Sequence, residues 1–232
     1  MQRRNFTALL SSFVGLWSST GHARAADLSE IDAASGIRTA LERGALAAVG
    51  LLGKTDGFLG NPKVRIALPG FLNDAAKLLK VTGQQKRVDQ LVTAMNRAAE
   101  AAMPEARALL VSTVKAMSVD DAVKVIKGGD NSVTQFFADK TREPLGEKFL
   151  PIVTQATEKV SLASKYNAVA SKAASLGLMK KEDASIEQYV SGKALDGLFL
   201  MIGEEERKIR KDPIGTGSAI LKKVFGSLKQ GS

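Results

Sequence analysis

From Ile31 onward apolar residues return at intervals of three and four, and no stretch sustains the every-second-residue alternation of a half-buried strand. A chain of this kind is constrained to pack helix against helix. Ile31 to Leu52 is rich in Ala and Leu and ends near Gly53, and 71–81 reads as a short amphipathic helix stopped by Gly83. From Gln85 to Met103 the apolar stripe is Val88, Leu91, Val92, Met95, Ala99 and Ala102; Pro104 then either kinks this helix or opens a new one to Met117. Ser118-Val-Asp-Asp121 has the form of a capping box with Asp replacing Glu, and Gly128-Gly129 closes the short helix behind it. Asp130 is placed to cap the next helix, which carries Val133, Phe136 and Phe137. The breaker Pro144 precedes a further helix to about Val160, followed by one from Tyr166 to Leu176. Ser185-Ile-Glu-Gln188 is a full capping box opening a helix to Arg210, and 217–228 adds a last short one. The fold class expected is all-α: a single compact multi-helix bundle over 26–232.

The exception is a long ordered loop over about 54–70. Asp56-Gly57, Gly60-Asn61-Pro62 and Leu68-Pro69-Gly70 are turn signals around Val64-Arg65-Ile66-Ala67-Leu68, whose alternation suits one extended piece. A lone strand lacks a partner, so a packed loop is expected. Long ordered loops often carry function, which makes Asp56, Phe58 and Arg65 candidate binding residues. The competing reading is a helix connector pinned by Phe58 and Leu59.

Residues 1–25 read as a cleaved secretory signal: Arg3 and Arg4, a short apolar run from Ala8 to Trp17, then Ala23-Arg24-Ala25 as an A-x-A cleavage site. About 10 apolar-to-small residues cannot cross a hydrocarbon core that needs roughly 20, so the expectation is a soluble periplasmic protein and no integral membrane protein. Arg3-Arg4-Asn5-Phe6 resembles the twin-arginine export motif, while Gln2 and Thr7 depart from its fuller pattern; both export routes stay open. Removing 25 of the 232 residues leaves 207, and takes away the only His (His22), the only Trp (Trp17) and three arginines, so the formal charge falls from +9 to +6. With no Cys anywhere, stability must come from packing alone. The basic residues are scattered among acids and the aromatics sit in apolar contexts, which argues against nucleic acid as a partner.

Several runs carry a resemblance to a known family: Asp56-Gly-Phe-Leu-Gly-Asn-Pro62, Met95-Asn-Arg-Ala-Ala-Glu100, Gly128-Gly-Asp130, Lys148-Phe149 with Pro151-Ile-Val153, and Lys193-Ala-Leu-Asp-Gly-Leu-Phe199 leading into Glu204-Glu-Glu206. As a set they resemble the exported bacterial proteins grouped as domain of unknown function 4197, over roughly Ile37 to Phe225. The resemblance implies a helical, exported domain and carries no established activity.

Loss of imidazole and thiol removes most familiar catalytic sites. Ala48-Val-Gly-Leu-Leu-Gly53-Lys54-Thr55 formally fits a relaxed P-loop, but its interior continues a helix where a phosphate cradle needs strand, turn and helix in that order. Ser112-Thr-Val-Lys115 has the Ser-x-x-Lys spacing of acyl-transferases without their companion motifs, and reads as a solvated helix face. A metal site would need oxygens from Glu100, Asp120, Asp121, Asp130, Asp196 or Glu204 to Glu206, yet no calcium loop occurs; neither metal nor cofactor is expected.

Glu206 stands out. Leu195, Leu198, Phe199, Ile202, Glu206 and Ile209 share one helical stripe, which sets a carboxylate in an apolar face, where it must be paired, hydrogen-bonded or protonated. Asp89, Thr93, Asn96 and Glu100 form a polar ridge on another helix, with Arg97 just beyond it. The sequence reading joins Asn96, Arg97, Glu100 and Glu206 in one buried network, either a register-setting ion pair or a binding pocket. The leading functional expectation is a non-enzymatic binding protein of the cell envelope, taking a small apolar or anionic ligand or a protein partner among helices lined by Phe and Leu. Phe58, Phe136, Phe137, Phe149 and Phe199 are the aromatic candidates. A hydrolase or lyase using Glu100 or Glu206 is the alternative, and a structural scaffold is the third reading.

Overall fold

A computed structural model describes residues 21–70, 72, 76–77, 81–177, 180 and 183–212. Among these, six helices follow in order: α1 (Gly21–Leu52), α2 (Gln85–Lys115), α3 (Val119–Lys127), α4 (Ser132–Thr157), α5 (Ser161–Ser175) and α6 (Ile186–Lys211). No strand occurs among the described residues, and the fold is all-α. The helix expected over 71–81 falls largely outside them, with Leu72 and Ala76 helical and buried and Gly83 left-handed at φ +75°. The proposed signal up to residue 20 and the short helix expected over 217–228 lie outside as well.

Prolines interrupt less than expected. Pro104 lies inside α2, and α4 passes through both Pro144 and Pro151, so the two helices expected on either side of Pro144 are one. The reason is an unbroken buried row spaced by four: Val133, Phe137, Thr141, Leu145, Phe149, Val153 and Thr157. Burying Val133, Phe137, Leu145, Phe149 and Val153 contributes about 1.5–3 kcal/mol each, which together outweighs the roughly 3 kcal/mol that each of the two interior prolines costs. Tertiary packing overrides the local breaker.

Helix ends are set by side chains. Ser118 Oγ accepts from Asp121 N at 3.0 Å and Asp121 accepts from Ser118 N at 3.2 Å, so the Asp-for-Glu box at the start of α3 closes in both directions. At α6 the Ser185 end makes the Gln188 N to Ser185 Oγ bond of 3.1 Å. Asn167 accepts from Ile186 N at 2.8 Å and donates to Glu187, which ties α5 to that same end. Arg38 reaches from α1 to Met117 O at 2.6 Å, closing α1 over the end of α2.

α2 sits at the centre and touches α1, α4, α5 and α6. Its small residues permit this: Ala98, Ala99, Ala102 and Ala106 are fully buried, so neighbours approach from several sides. α4 then packs on α6, and α6 closes against α1. The core thus formed contains Phe58, Phe137, Phe149, Leu145, Leu198 and Tyr166. No helix among the described residues is long and apolar enough to cross a membrane.

Candidate functional site

The segment after α1 is an ordered loop without strand, and α2 holds it in place. Val64, Ile66 and Leu68 are buried while Arg65 and Ala67 are exposed, so the alternation read in the sequence is seen as alternating burial after a turn in which Val64 N and Arg65 N donate to Asn61 O. Its missing strand partner is a side chain. Asn96, fully buried on α2, accepts from Ile66 N at 2.8 Å and donates to Ile66 O at 2.9 Å, and its second N–H goes to Val92 O at 2.8 Å. A primary amide presents the same donor and acceptor as a peptide unit, so one Asn satisfies what a neighbouring strand would.

One turn further along α2, Glu100 takes the other end of the loop. Its Oε1 accepts from Phe58 N and Leu59 N at 3.0 and 3.1 Å, and its Oε2 accepts from Arg97 Nη1 at 2.6 Å. Arg97 Nη2 continues to Asp56 at 2.7 Å. The Glu100 carboxylate, ahead of Asp56, raises the Arg97 pKa above its ordinary value. Asp56 itself is left-handed at φ +63°, a region that Asp tolerates better than most residues. A Cβ on Gly57 would run into the Leu51 and Leu52 carbonyls that end α1. Phe58 then inserts against Gly197 of α6, where an added Cβ would lie 2.7 Å from the ring. Arg65 Nη1 donates to Leu59 O at 3.0 Å, which folds the loop back on itself.

Glu206 belongs to a different place. It is buried, and its carboxylate meets the start of α4: Val133 N at 3.2 Å, Thr134 N at 3.3 Å and the Thr134 hydroxyl at 3.4 Å. α4 has no cap from its own N-terminal residue Asn131, and Glu206 supplies one across the fold. Asp130, expected in that role, does not fill it; a carboxylate brought in by α6 replaces the local cap. Arg210, one turn on from Glu206, donates Nε and Nη2 to Glu206 Oε1 at 3.0 and 2.9 Å, and Nη2 also reaches Ser132 Oγ and Val125 O at 2.7 and 3.0 Å.

The six loop-side candidates Asp56, Phe58, Arg65, Asn96, Arg97 and Glu100 therefore come together, and Glu206 does not join them. The single network read from the sequence is two networks with no shared partner. The arginine that meets Glu206 is Arg210, not Arg97. Both carboxylates are consumed by hydrogen bonds to backbone and guanidinium, which makes each a fastener of helix to loop or helix to helix. Four of the five aromatic candidates are core, with Phe58, Phe137 and Phe149 fully buried and Phe199 nearly so, while Phe136 is half-buried against them. The P-loop-like run continues α1 to Leu52 and then turns, and Ser112 and Lys115 lie exposed on α2. No group of three His, Cys, Asp or Glu able to hold a metal occurs among the described residues.

Beside Glu206 lies a narrow aliphatic groove with about 40 Å³ of space inside it. α1 contributes Ile37, Leu41 and the small residues Ala40, Gly44 and Ala45; α3 gives Val125 and Ile126, α4 gives Val133, and α6 gives Ile202, Ile209, Glu206 and Arg210. Apart from Glu206, with Ile202 and Ile209 on its stripe, sequence reasoning did not single these residues out as a site. Two signals point to them: the small-residue step Ala40, Gly44, Ala45, where a Cβ on Gly44 would already meet Glu205 and Ile209 of α6 at 3.5 Å, and the i, i+4 spacing of Glu206 and Arg210.

The chain matches the family model described as Protein of unknown function (DUF4197) over residues 27–226, most of its length. No curated protein and no solved structure matches it. The chain belongs to this DUF4197 family.

Proposed function

We propose that this member of the family is an exported, non-enzymatic binding protein of the cell envelope, and that its ligand is a small apolar molecule held in the groove between α1, α3, α4 and α6. The observation that carries the reading is the groove itself, whose walls are almost wholly aliphatic and whose space of about 40 Å³ has room for a short alkyl group only. Binding in such a place draws on burial of alkyl surface at roughly 25 cal/mol per Å². The export half of the reading is supported by the basic start, short apolar run and A-x-A of residues 1–25, and by a family match that begins two residues after Ala25.

Occupied carboxylates weigh against the hydrolase or lyase alternative. A general acid or base needs an oxygen that faces substrate, whereas Glu100 and Glu206 direct both oxygens to protein donors. Native mass spectrometry of the chain purified from the periplasm tests the proposal. A retained small apolar species, with a mature N-terminus at Ala26, is the expected result; a bare polypeptide that takes up no added short-chain alkyl compound contradicts it.

A further inference from the structure

On another face of the molecule, away from the groove beside Glu206, we infer that the cleft between the loop and α6 docks an extended peptide of alternating apolar and acidic residues, which pairs with the outer edge of the loop backbone at Ile66. The cleft holds about 280 Å³. Backbone geometry defines the edge. Asn96 takes both the N–H and the C=O of Ile66, so both point toward α2 and the chain is extended at this residue. The peptide bonds on either side of Ile66 are trans, and the N–H and C=O of a trans unit point in opposite directions. Arg65 C=O and Ala67 N–H are therefore turned together away from α2, and neither has a hydrogen-bond partner among the described residues. Ala67 O accepts from the Tyr189 hydroxyl of α6 at 3.1 Å, and both residues line the cleft, so the edge faces it. An acceptor and a donor flanking one residue are the groups by which a parallel or an antiparallel neighbour attaches, and such pairing supplies affinity while the alternate side chains supply specificity.

Those side chains have two different surroundings. A peptide residue opposite Ile66 points to the same face as Ile66, where Gly197 leaves space and Leu200, 41% exposed, forms an apolar wall; Val or Ile suits that position. Its neighbours point to the face of Arg65. The cleft carries Lys63, Arg65 and Lys193 against Asp196 alone. Lys63 is answered by Glu204 from outside the cleft. Arg65 meets no carboxylate among the described residues and gives Nη1 to Leu59 O. Asp196 is drawn to Arg142 at 2.7 Å and leaves Lys193 at 3.4 Å. The surplus is positive, so Asp or Glu at the neighbouring positions complements it, as opposite charges do across paired strands.

Calorimetric titration of the mature chain with the peptide acetyl-Thr-Val-Glu-Val-Glu-Thr-amide, at low ionic strength, tests the edge and the charge separately. A paired strand turns every second amide to its neighbour. N-methylation of one alternate set, the Val amides or the Glu amides, is thus expected to lower affinity at least about tenfold, and methylation of the other set to leave it within about twofold. Ala67→Pro removes the edge donor and is expected to weaken binding about as much as the damaging methylation; its N–H has no partner to lose, and Ile66 is already extended as a residue before proline must be. The methylated peptides give the same reading on the wild-type chain should that variant not fold. Replacing both Glu of the peptide by Gln is expected to weaken binding about three- to fivefold, and Arg65→Gln to remove most of that difference. Equal effects of the two methylations, wild-type affinity in a folded Ala67→Pro, or no binding of the peptide overturns the inference. Equal binding of the Glu and Gln peptides overturns its acidic part, and full displacement of the peptide by free glutarate assigns the cleft to a small anion instead.

Discussion

The side-chain amide of Asn96 closes two hydrogen bonds with the backbone of Ile66, one in each direction, at 2.8 and 2.9 Å. A helix thereby acts as the neighbouring strand of a loop that has none. Asn96→Leu keeps the volume and removes both bonds, leaving a buried N–H and a buried C=O unsatisfied at about 1–3 kcal/mol each. Asn96→Asp keeps the acceptor and loses the donors to Ile66 O and Val92 O, so it is expected to destabilise as well. Urea unfolding checks the magnitude, and hydrogen exchange at the Ile66 amide checks the location. Wild-type protection of that amide in Asn96→Leu would contradict the assignment.

Glu100 and Glu206 fasten different parts of the molecule and share no partner. Mutations at independent sites add to within about 0.3–0.5 kcal/mol. Glu100→Gln and Glu206→Gln are each expected to cost about 1–3 kcal/mol, and the double variant the sum of the two. A coupling energy well above that margin in a urea-unfolding cycle would restore the single network read from the sequence.

Gly197 and Phe58 occupy one space. Gly197→Ala brings a Cβ to 2.7 Å from the Phe58 ring, an overpacking expected to cost about 1–3 kcal/mol. Combining it with Phe58→Leu, which withdraws the ring, is expected to cost less than the sum of the two single changes. Thermal melts of the four proteins decide; strict additivity would mean that the ring does not rest on Gly197.

Burial pushes the Tyr166 phenol up to about 12 from 10.0, with the Asp183 charge adding to it, and Tyr189 is raised for the same first reason. A phenol whose folded pKa lies above its unfolded value stabilises the fold fully below pH 10.0, and that contribution is lost as pH rises toward about 12. Stability is therefore expected to fall over this window, and Tyr166→Phe to flatten the fall. Tyrosinate absorbance gives a direct check, since the native chain is expected to ionise at higher pH than the same chain in urea. Coincident titration curves would contradict the buried phenols.

Much of the fold was legible because helical periodicity is local. The stripe from Val88 to Ala102 placed α2, Ser118 and Asp121 marked the start of α3, and Glu206 announced itself as a carboxylate in an apolar face. What stayed hidden depends on distant parts of the chain. Pro144 reads as a breaker until the buried row of α4 is seen against α2 and α6, and Asp130 reads as a cap until Glu206 arrives from α6. The loop-side candidates were found together because turn residues and a polar ridge are both visible in sequence. The groove escaped because its walls come from four helices, and nothing local distinguishes a residue lining a space from one filling it.

Methyl NMR with labelled Ile, Leu and Val side chains, recorded while a short-chain alcohol such as butanol is added to the mature chain, tests the ligand groove most directly. Shifts are expected to concentrate at Ile37, Leu41, Ile126, Ile202 and Ile209, with the core methyls of Leu91 and Leu110 unmoved. An unchanged spectrum, or shifts confined to Val64, Ile66 and Leu200 on the face between the loop and α6, would contradict it.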